Sequence, residues 1–248
     1  MKAIILAAGY AMRLYPLTEN MPKALLPIGG RPMLDYLMDS VASVPEIDEA
    51  IIVSNHRFAA QFEAWATEAT QAYPSLRLTV LDDGTTNNEN RLGAVGDIQF
   101  AIEKLALDDE VLVAASDDFF TFDLRDYVAD YRRHGQNLLL GHRLDSLEDL
   151  RRFAVAELDS ERRVLALEEK PQAPRTDIAI YALYIYRADT LPLVKQYLDE
   201  GNNPDSPGRF PEWLYSRRET RVWMFEGECI DIGTPESYRE ICARFEKK

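Results

Sequence analysis

Arg13 and Lys23 stand ten positions apart behind a loop of residues with little side chain, in the run LAAGYAMRLYPLTENMPKALLPIGGRPML. The preceding Ala3-Ile4-Ile5-Leu6 is apolar without alternation, as expected of a strand covered on both faces. Ala7, Ala8 and Gly9 put no bulk between the backbone and a ligand, so main-chain N–H groups there can point at an anion or a base edge. Pro16, Pro22, Pro27 and Pro32 stiffen the segment that carries the cations, which lowers the entropy cost of holding them in place. Feature by feature, an ordinary first strand and turn with surface cations would read the same way. The whole run points to binding of a phosphate compound.

Carboxylates suited to a metal follow later. Ser116-Asp117-Asp118 ends the apolar run 110–115, and ligands of open α/β sheets gather outside the carboxyl ends of strands. Asp231 ends another extended run, ahead of Gly233-Thr234-Pro235 and the last helical pattern. Either aspartate reads equally well as a helix cap. Two of them at strand ends would suit Mg²⁺, which takes one or two carboxylates and completes its shell with phosphate oxygens and water. Glu168-Glu169-Lys170-Pro171 offers a compact cation at a proline-fixed exit, or only a solvated strand edge. Asn90-Arg91-Leu92-Gly93-Ala94-Val95-Gly96-Asp97 opens a helix with two glycines, whose exposed N–H groups would receive a phosphate or read a base, unless it is a plain turn-to-helix junction. No nucleophile–base pair stands out. His56, His134 and His142 are scattered, and His56 reads as a strand-end packing residue.

These residues need elements to hold them. Apolar runs at 2–6, 50–54, 77–81, 110–115 and 137–141 read as strands, and 32–43, 57–72, 93–106 and 123–134 carry helical spacing. Leu34, Leu37, Met38 and Val41 give i, i+3, i+4, i+7 on the first helix, and Phe58, Phe62, Trp65 and Ala69 an apolar stripe on the second. Such alternation predicts a mostly parallel sheet with helices on both faces. After residue 142 the pattern changes. Strands are expected at 153–159 and 163–170, paired around the turn Asp159-Ser160-Glu161, and at 178–186 and 221–226, with helices near 188–200, 209–217 and 235–246 and a Gly/Asn/Pro-rich loop at 201–208. We expect a single α/β domain over 1–248, with 142–248 elaborating the sheet of 1–141.

With 248 residues, 46% of them hydrophobic, the chain can bury a full α/β core. A formal charge of −14 sets no field that would draw it to nucleic acid or an anionic membrane. Two cysteines, Cys229 and Cys242, exclude a disulfide framework and a cysteine zinc site. No signal-peptide or membrane-span pattern is present, so a cytoplasmic protein is expected.

Taken together, the motifs resemble the sugar-1-phosphate nucleotidylyltransferases, the NDP-sugar pyrophosphorylases. The resemblance covers nearly the whole chain. It implies a Rossmann-like nucleotidyltransferase fold, a mostly parallel mixed sheet flanked by helices with a smaller sugar-binding β elaboration. It also implies Mg²⁺ as cofactor, and a nucleoside triphosphate and a sugar 1-phosphate as partners, and it allows a homo-oligomer. Carried over, Arg13 and Lys23 are the catalytic cations. Leu6, Ala7, Ala8, Gly9, Arg91 and Gly93 face the nucleotide. Ala154, Glu169 and Lys170 bind the sugar phosphate, and Asp117 and Asp231 hold the metal.

Four positions depart from the family pattern. Ala11 replaces a glycine, and an L-residue at left-handed angles costs about 1–2 kcal/mol, so a different local shape or a negative φ is expected there. Ser116 and Asp118 replace Gly and Asn around the metal aspartate, and Ala154 replaces a glycine whose backbone approaches the sugar. The base and the acceptor stay open, with a lean to uridine or thymidine over guanosine. A cytidylyltransferase acting on phosphocholine or an inositol phosphate, or a non-catalytic nucleotide-binding module, is the alternative reading. A glycosyltransferase would call for Asp-x-Asp, which Ser116-Asp117-Asp118 is not.

Overall fold

The first strand buries Ala3, Ile4 and Ile5 completely, as its unalternating sequence requires. The computed structural model describes residues 1–246. In chain order the elements are β1 (Lys2–Leu6), β2 (Pro27–Ile28), β3 (Arg31–Pro32), α1 (Met33–Ala42), β4 (Glu49–Ser54), α2 (Ala59–Ala69), β5 (Arg77–Asp82), α3 (Ala94–Leu105), β6 (Val111–Ala115), β7 (Asp118–Phe120) and α4 (Leu124–His134). They continue as β8 (Asn137–Arg143), α5 (Leu147–Leu150), β9 (Ala154–Leu158), β10 (Val164–Glu169), β11 (Ile178–Tyr186), α6 (Leu191–Asp199), α7 (Arg209–Leu214), β12 (Thr220–Met224), β13 (Cys229–Asp231) and α8 (Pro235–Glu246).

Two compact units share the chain. The first comprises 1–92, 114–124 and 227–248, the second 93–113 and 125–226. In the first, β4 pairs in parallel with β1 and with β5, in the register Ile4↔Ile51 and Ile51↔Thr79. All six residues of β4 are buried, so it is a central strand with both faces covered. The helical stripes bury as their spacing predicts: Leu34, Leu37, Met38 and Val41 of α1, and Phe62, Trp65 and Ala69 of α2 behind Phe58. A satellite core of Ile28, Met33, Ile232 and Ile241 fixes α8, where Tyr36, Phe119 and Phe245 meet edge-on with centroids 5.1–5.7 Å apart.

The second unit is mainly antiparallel. β8 pairs with β11, β11 with β9 and β9 with β10, while β12 joins β8 in parallel. This is the mixed part of an α/β fold whose parallel part is β1-β4-β5. Tyr127 of α4 ties helix to sheet here, its hydroxyl 2.9 Å from the Leu138 carbonyl and 3.0 Å from that of Leu183.

Three expectations change. His56 does not pack at a strand end: it is exposed and its Nδ1 lies 2.6 Å from Asp82 Oδ2, a bond that raises the imidazole pKa. Ser116 and Asp117 cap no helix, because the chain turns into the short strand β7, which β13 pairs antiparallel. Asp231 does not occupy the N-cap position of α8, which begins at Pro235. It ends β13, and α8 is capped by Thr234, whose Oγ1 accepts from Ser237 N–H at 3.2 Å while Ser237 Oγ accepts from Thr234 N–H at 3.1 Å. Strands of two or three residues such as β2, β3, β7 and β13 carry no readable periodicity.

Candidate active site

In the first unit the carboxyl ends of β1, β4 and β6 converge. Ala7 N–H donates to Val53 O at 2.9 Å, Ser116 N–H to Leu6 O at 3.2 Å, and Asn55 Nδ2 to Ala8 O at 2.9 Å. The amide of Ala7 is therefore committed to the sheet. Among the described residues the amides of Ala8 and Gly9 meet no acceptor, and nothing stands within 4 Å of where a Gly9 Cβ would lie. Gly9 leaves an open space beside unused donors.

Ala11 adopts φ 46° and ψ 41°. The expectation of another loop shape or a negative φ is thus overturned: the left-handed turn is kept despite the methyl. Its carbonyl is held by the buried Thr18 hydroxyl at 2.8 Å and by Leu14 N–H at 2.9 Å, which fixes the turn from outside. Strain relief of about 1–2 kcal/mol, less about 0.4–1 for the freer unfolded chain, predicts that Ala11→Gly stabilises the protein by about 0.5–1 kcal/mol. Thermal denaturation followed by circular dichroism should show a Tm higher by about 1–4 °C. An unchanged or lower Tm would mean the turn carries no strain.

Arg13 sits in the single 3₁₀ turn Met12–Leu14, anchored by buried Leu14, with its guanidinium toward solvent. Among the described residues no carboxylate pairs with it, although the chain holds 42 acidic residues. Met12, Tyr15, Leu17 and Met21 stand exposed around it. A second 3₁₀ turn, Lys23–Leu25, carries Lys23, whose ammonium meets Asp117 Oδ2 in an ion pair. Both groups are largely covered, with 13% and 28% of the side chains exposed. Ile232 N–H donates to Asp117 O at 3.2 Å, and Asp118 and Asp231 are register partners across β7 and β13. The backbone thus brings Asp231 beside the Asp117–Asp118 turn; its side chain lies outside the described residues. Arg91 is exposed, and its Nη1 donates to Asn88 O at 2.6 Å.

The second unit assembles the remaining predicted residues. Gly93 has φ 80°, and a Cβ there would stand 2.6 Å from Pro204 O and 2.9 Å from Asp205 Cα. Val95 N–H donates to Pro204 O at 2.9 Å and Ala94 N–H to Asp205 O at 3.4 Å. The first amides of α3, expected to be exposed for a ligand, are instead engaged by the loop before α7. Close approach of that loop explains the glycine.

Ala154 and Glu169 are register partners at the ends of β9 and β10. Lys170 follows at φ 50°, its N–H bonded to Phe153 O at 3.1 Å, so the hairpin closes while the ammonium stays exposed. The Glu169 side chain is only 4% exposed. Its Oε1 accepts from the Ser206 hydroxyl and lies 3.7 Å from Lys170 Nζ, and its backbone N–H donates to Glu212 Oε1 at 3.1 Å. Ser206, Gly208 and Glu212, like Asn55 and Thr18, escaped sequence reasoning. The only signal was the Gly/Asn/Pro-rich composition of 201–208, which marks a loop and not what it touches.

A sequence profile described as nucleotidyl transferase matches residues 2–248. A putative mannose-1-phosphate guanyltransferase of Sulfolobus acidocaldarius is 29% identical over 240 residues, covering 96% of this chain and 61% of its own length. A glucose-1-phosphate thymidylyltransferase of Neisseria gonorrhoeae is 30% identical over 256 residues, covering 98% and 82%. Against two further curated relatives the chain spans 49% of their length. In fold it is similar to a solved UDP-glucose pyrophosphorylase bound to UDP-glucose, with a TM-score of 0.82 at 20% identity over 100% of this chain and 99% of that one.

Proposed function

The chain belongs to the nucleotidyl transferase family, and from that premise we propose that it joins a nucleoside triphosphate and a sugar 1-phosphate into an NDP-sugar and pyrophosphate. An oxygen of the sugar phosphate attacks the α-phosphorus, the bond to the β-phosphate's bridging oxygen breaks, and pyrophosphate departs with that electron pair. The nucleophile is already an anion, so the protein's work is positioning and neutralisation. Arg13 holds the triphosphate and offsets charge on the departing pyrophosphate. Lys23 meets phosphate oxygens, while Leu6, Ala7, Ala8, Gly9, Arg91 and Gly93 border the nucleotide. Glu169 and Lys170, beside Ala154, take the sugar and its phosphate. The nucleotide falls to residues 1–141 and the sugar phosphate to 142–248.

Family members use a divalent metal, and we assign Mg²⁺ to Asp117 and Asp231. Among the described residues no cluster of three His, Cys, Asp or Glu is present. An oxygen-only donor such as the part-exposed Asp117 carboxylate fits an ion that needs only one or two protein ligands. Such an ion would supply charge neutralisation at the phosphate oxygens. We assign the protein to the cytoplasm as the compartment that supplies nucleoside triphosphate; neither cysteine is in a disulfide, and among the described residues no helix is long and apolar enough to cross a membrane.

The observation that carries this reading is Arg13, a solvent-facing guanidinium that no carboxylate of the described residues neutralises, on the loop bordered by the amides of Ala8 and Gly9, which meet no acceptor among those residues. The test is pyrophosphate release with Mg²⁺, each nucleoside triphosphate and a panel of sugar 1-phosphates. Release with at least one pair is expected. Silence with every pair, but release with CTP and phosphocholine or an inositol phosphate, would move the acceptor outside the sugars.

A further inference from the structure

The segment Ser206–Glu212 grips Glu169 from two sides. Ser206 Oγ donates to carboxylate Oε1, and Glu212 Oε1 accepts from the Glu169 backbone N–H at 3.1 Å while its other oxygen is held by Arg209 Nη1 at 3.0 Å. Gly208 lies against the same carboxylate: a Cβ there would stand 2.0 Å from Oε2 and 3.4 Å from the Ala154 methyl. Gly208 has φ −71°, so no backbone strain calls for glycine. The carboxylate itself fills the space a side chain would take.

We infer that Ser206 is a positioning residue which, with Gly208, aims Glu169 Oε2 at one hydroxyl of the acceptor and so sets which sugar epimer the protein prefers. The inference rests on the sugar 1-phosphate reading above. Ser206 occupies Oε1, whereas among the described residues no donor is paired with Oε2. An ionised carboxylate only accepts hydrogen bonds, and the donors a simple sugar offers are hydroxyls, so what Oε2 takes from such an acceptor is an O–H. Fixed in place, that oxygen meets a hydroxyl in one configuration and misses it in the epimer. A site built to bond a hydroxyl discriminates through the buried polar group left unpaired by the wrong substrate. A carboxylate free to swing would follow either configuration.

The test compares kcat/KM for glucose, mannose and galactose 1-phosphates in the parent, Ser206→Ala, Ser206→Thr and Gly208→Ala, with one nucleoside triphosphate throughout. Ser206→Ala should compress the ratio between the best and worst epimer about tenfold, chiefly by raising KM for the preferred sugar phosphate, with KM for the triphosphate unchanged. Ser206→Thr retains the hydroxyl and should restore the ratio. Gly208→Ala should compress it as well, because the new methyl displaces the Glu169 carboxylate without straining the backbone. Equal losses for all epimers, or a matching rise in KM for the triphosphate, would reduce Ser206 to a merely structural role and overturn the inference. Parent protein that turns over sugar 1-phosphates with the same epimer ratio as Ser206→Ala would also overturn it, leaving the proposed activity standing. A parent that is silent with every sugar 1-phosphate would overturn both.

Discussion

Replacing Arg13 by alanine is expected to lower turnover by about 10²–10³-fold while leaving stability within about 0.5 kcal/mol of the parent. The two halves of this expectation come from one observation. Arg13 projects from a 3₁₀ turn whose structural anchor is Leu14, and no carboxylate of the described residues pairs with it. Nothing in the fold is lost with the side chain, so Tm should stay put. Transition-state stabilisation should suffer, since charge that collects on departing pyrophosphate meets one guanidinium fewer. A guanidinium matches phosphate oxygens with paired donors, so Arg13→Lys should recover only part of the loss. Pyrophosphate release under saturating substrates decides the matter: a change in kcat below about fivefold would make Arg13 a surface cation.

Asp117→Asn should be the second severe lesion, with turnover down about a thousandfold. Its place after β6 is fixed by Ser116 N–H on Leu6 O, by Ile232 N–H on its own carbonyl, and by the Lys23 ammonium. Asparagine keeps the shape and still accepts a hydrogen bond from Lys23, so we expect a loss of only about 1 kcal/mol of stability. What it removes is negative charge at the point where a divalent ion would be held. The apparent Mg²⁺ or Mn²⁺ affinity, followed by Mn²⁺ electron paramagnetic resonance as well as by activity, should therefore fall with the turnover. Normal affinity for the ion in a folded Asp117→Asn protein would refute the metal assignment.

The elements were legible where the chain repeats its signal. The unalternating run of β1, the i, i+3, i+4, i+7 spacing in α1 and the aromatic stripe of α2 each needed a buried face, and each has one. After residue 142 the pairing of β9 with β10 was legible from the short turn between them, whereas that of β11 with β8 and β9 was not, because a strand's own pattern does not state a distant partner or its direction. The candidate site divides in the same way. Residues next to one another in sequence, such as Glu169 with Lys170 or Ala8 with Gly9, could be read as motifs. Contacts made across the fold could not: Lys23 meets Asp117 across 94 positions and Ser206 meets Glu169 across 37. Ala11 shows the limit from the other side. A propensity argument favoured a different turn, and two hydrogen bonds to the Ala11 carbonyl outweighed it.

Pro204–Gly208 has a consequence for how such a chain can vary. At one end its backbone rests on Gly93 so closely that a methyl there is excluded, and at the other Gly208 gives way to the Glu169 carboxylate. Two glycines distant in sequence, Gly93 and Gly208, are therefore the bearings of one short strut. A mutation that enlarges either bearing shifts the strut, and with it whatever rests on the far end. Lineages of this fold that change the fit at the head of α3 should therefore carry a compensating change around Gly208, so that the two positions drift as a pair rather than singly.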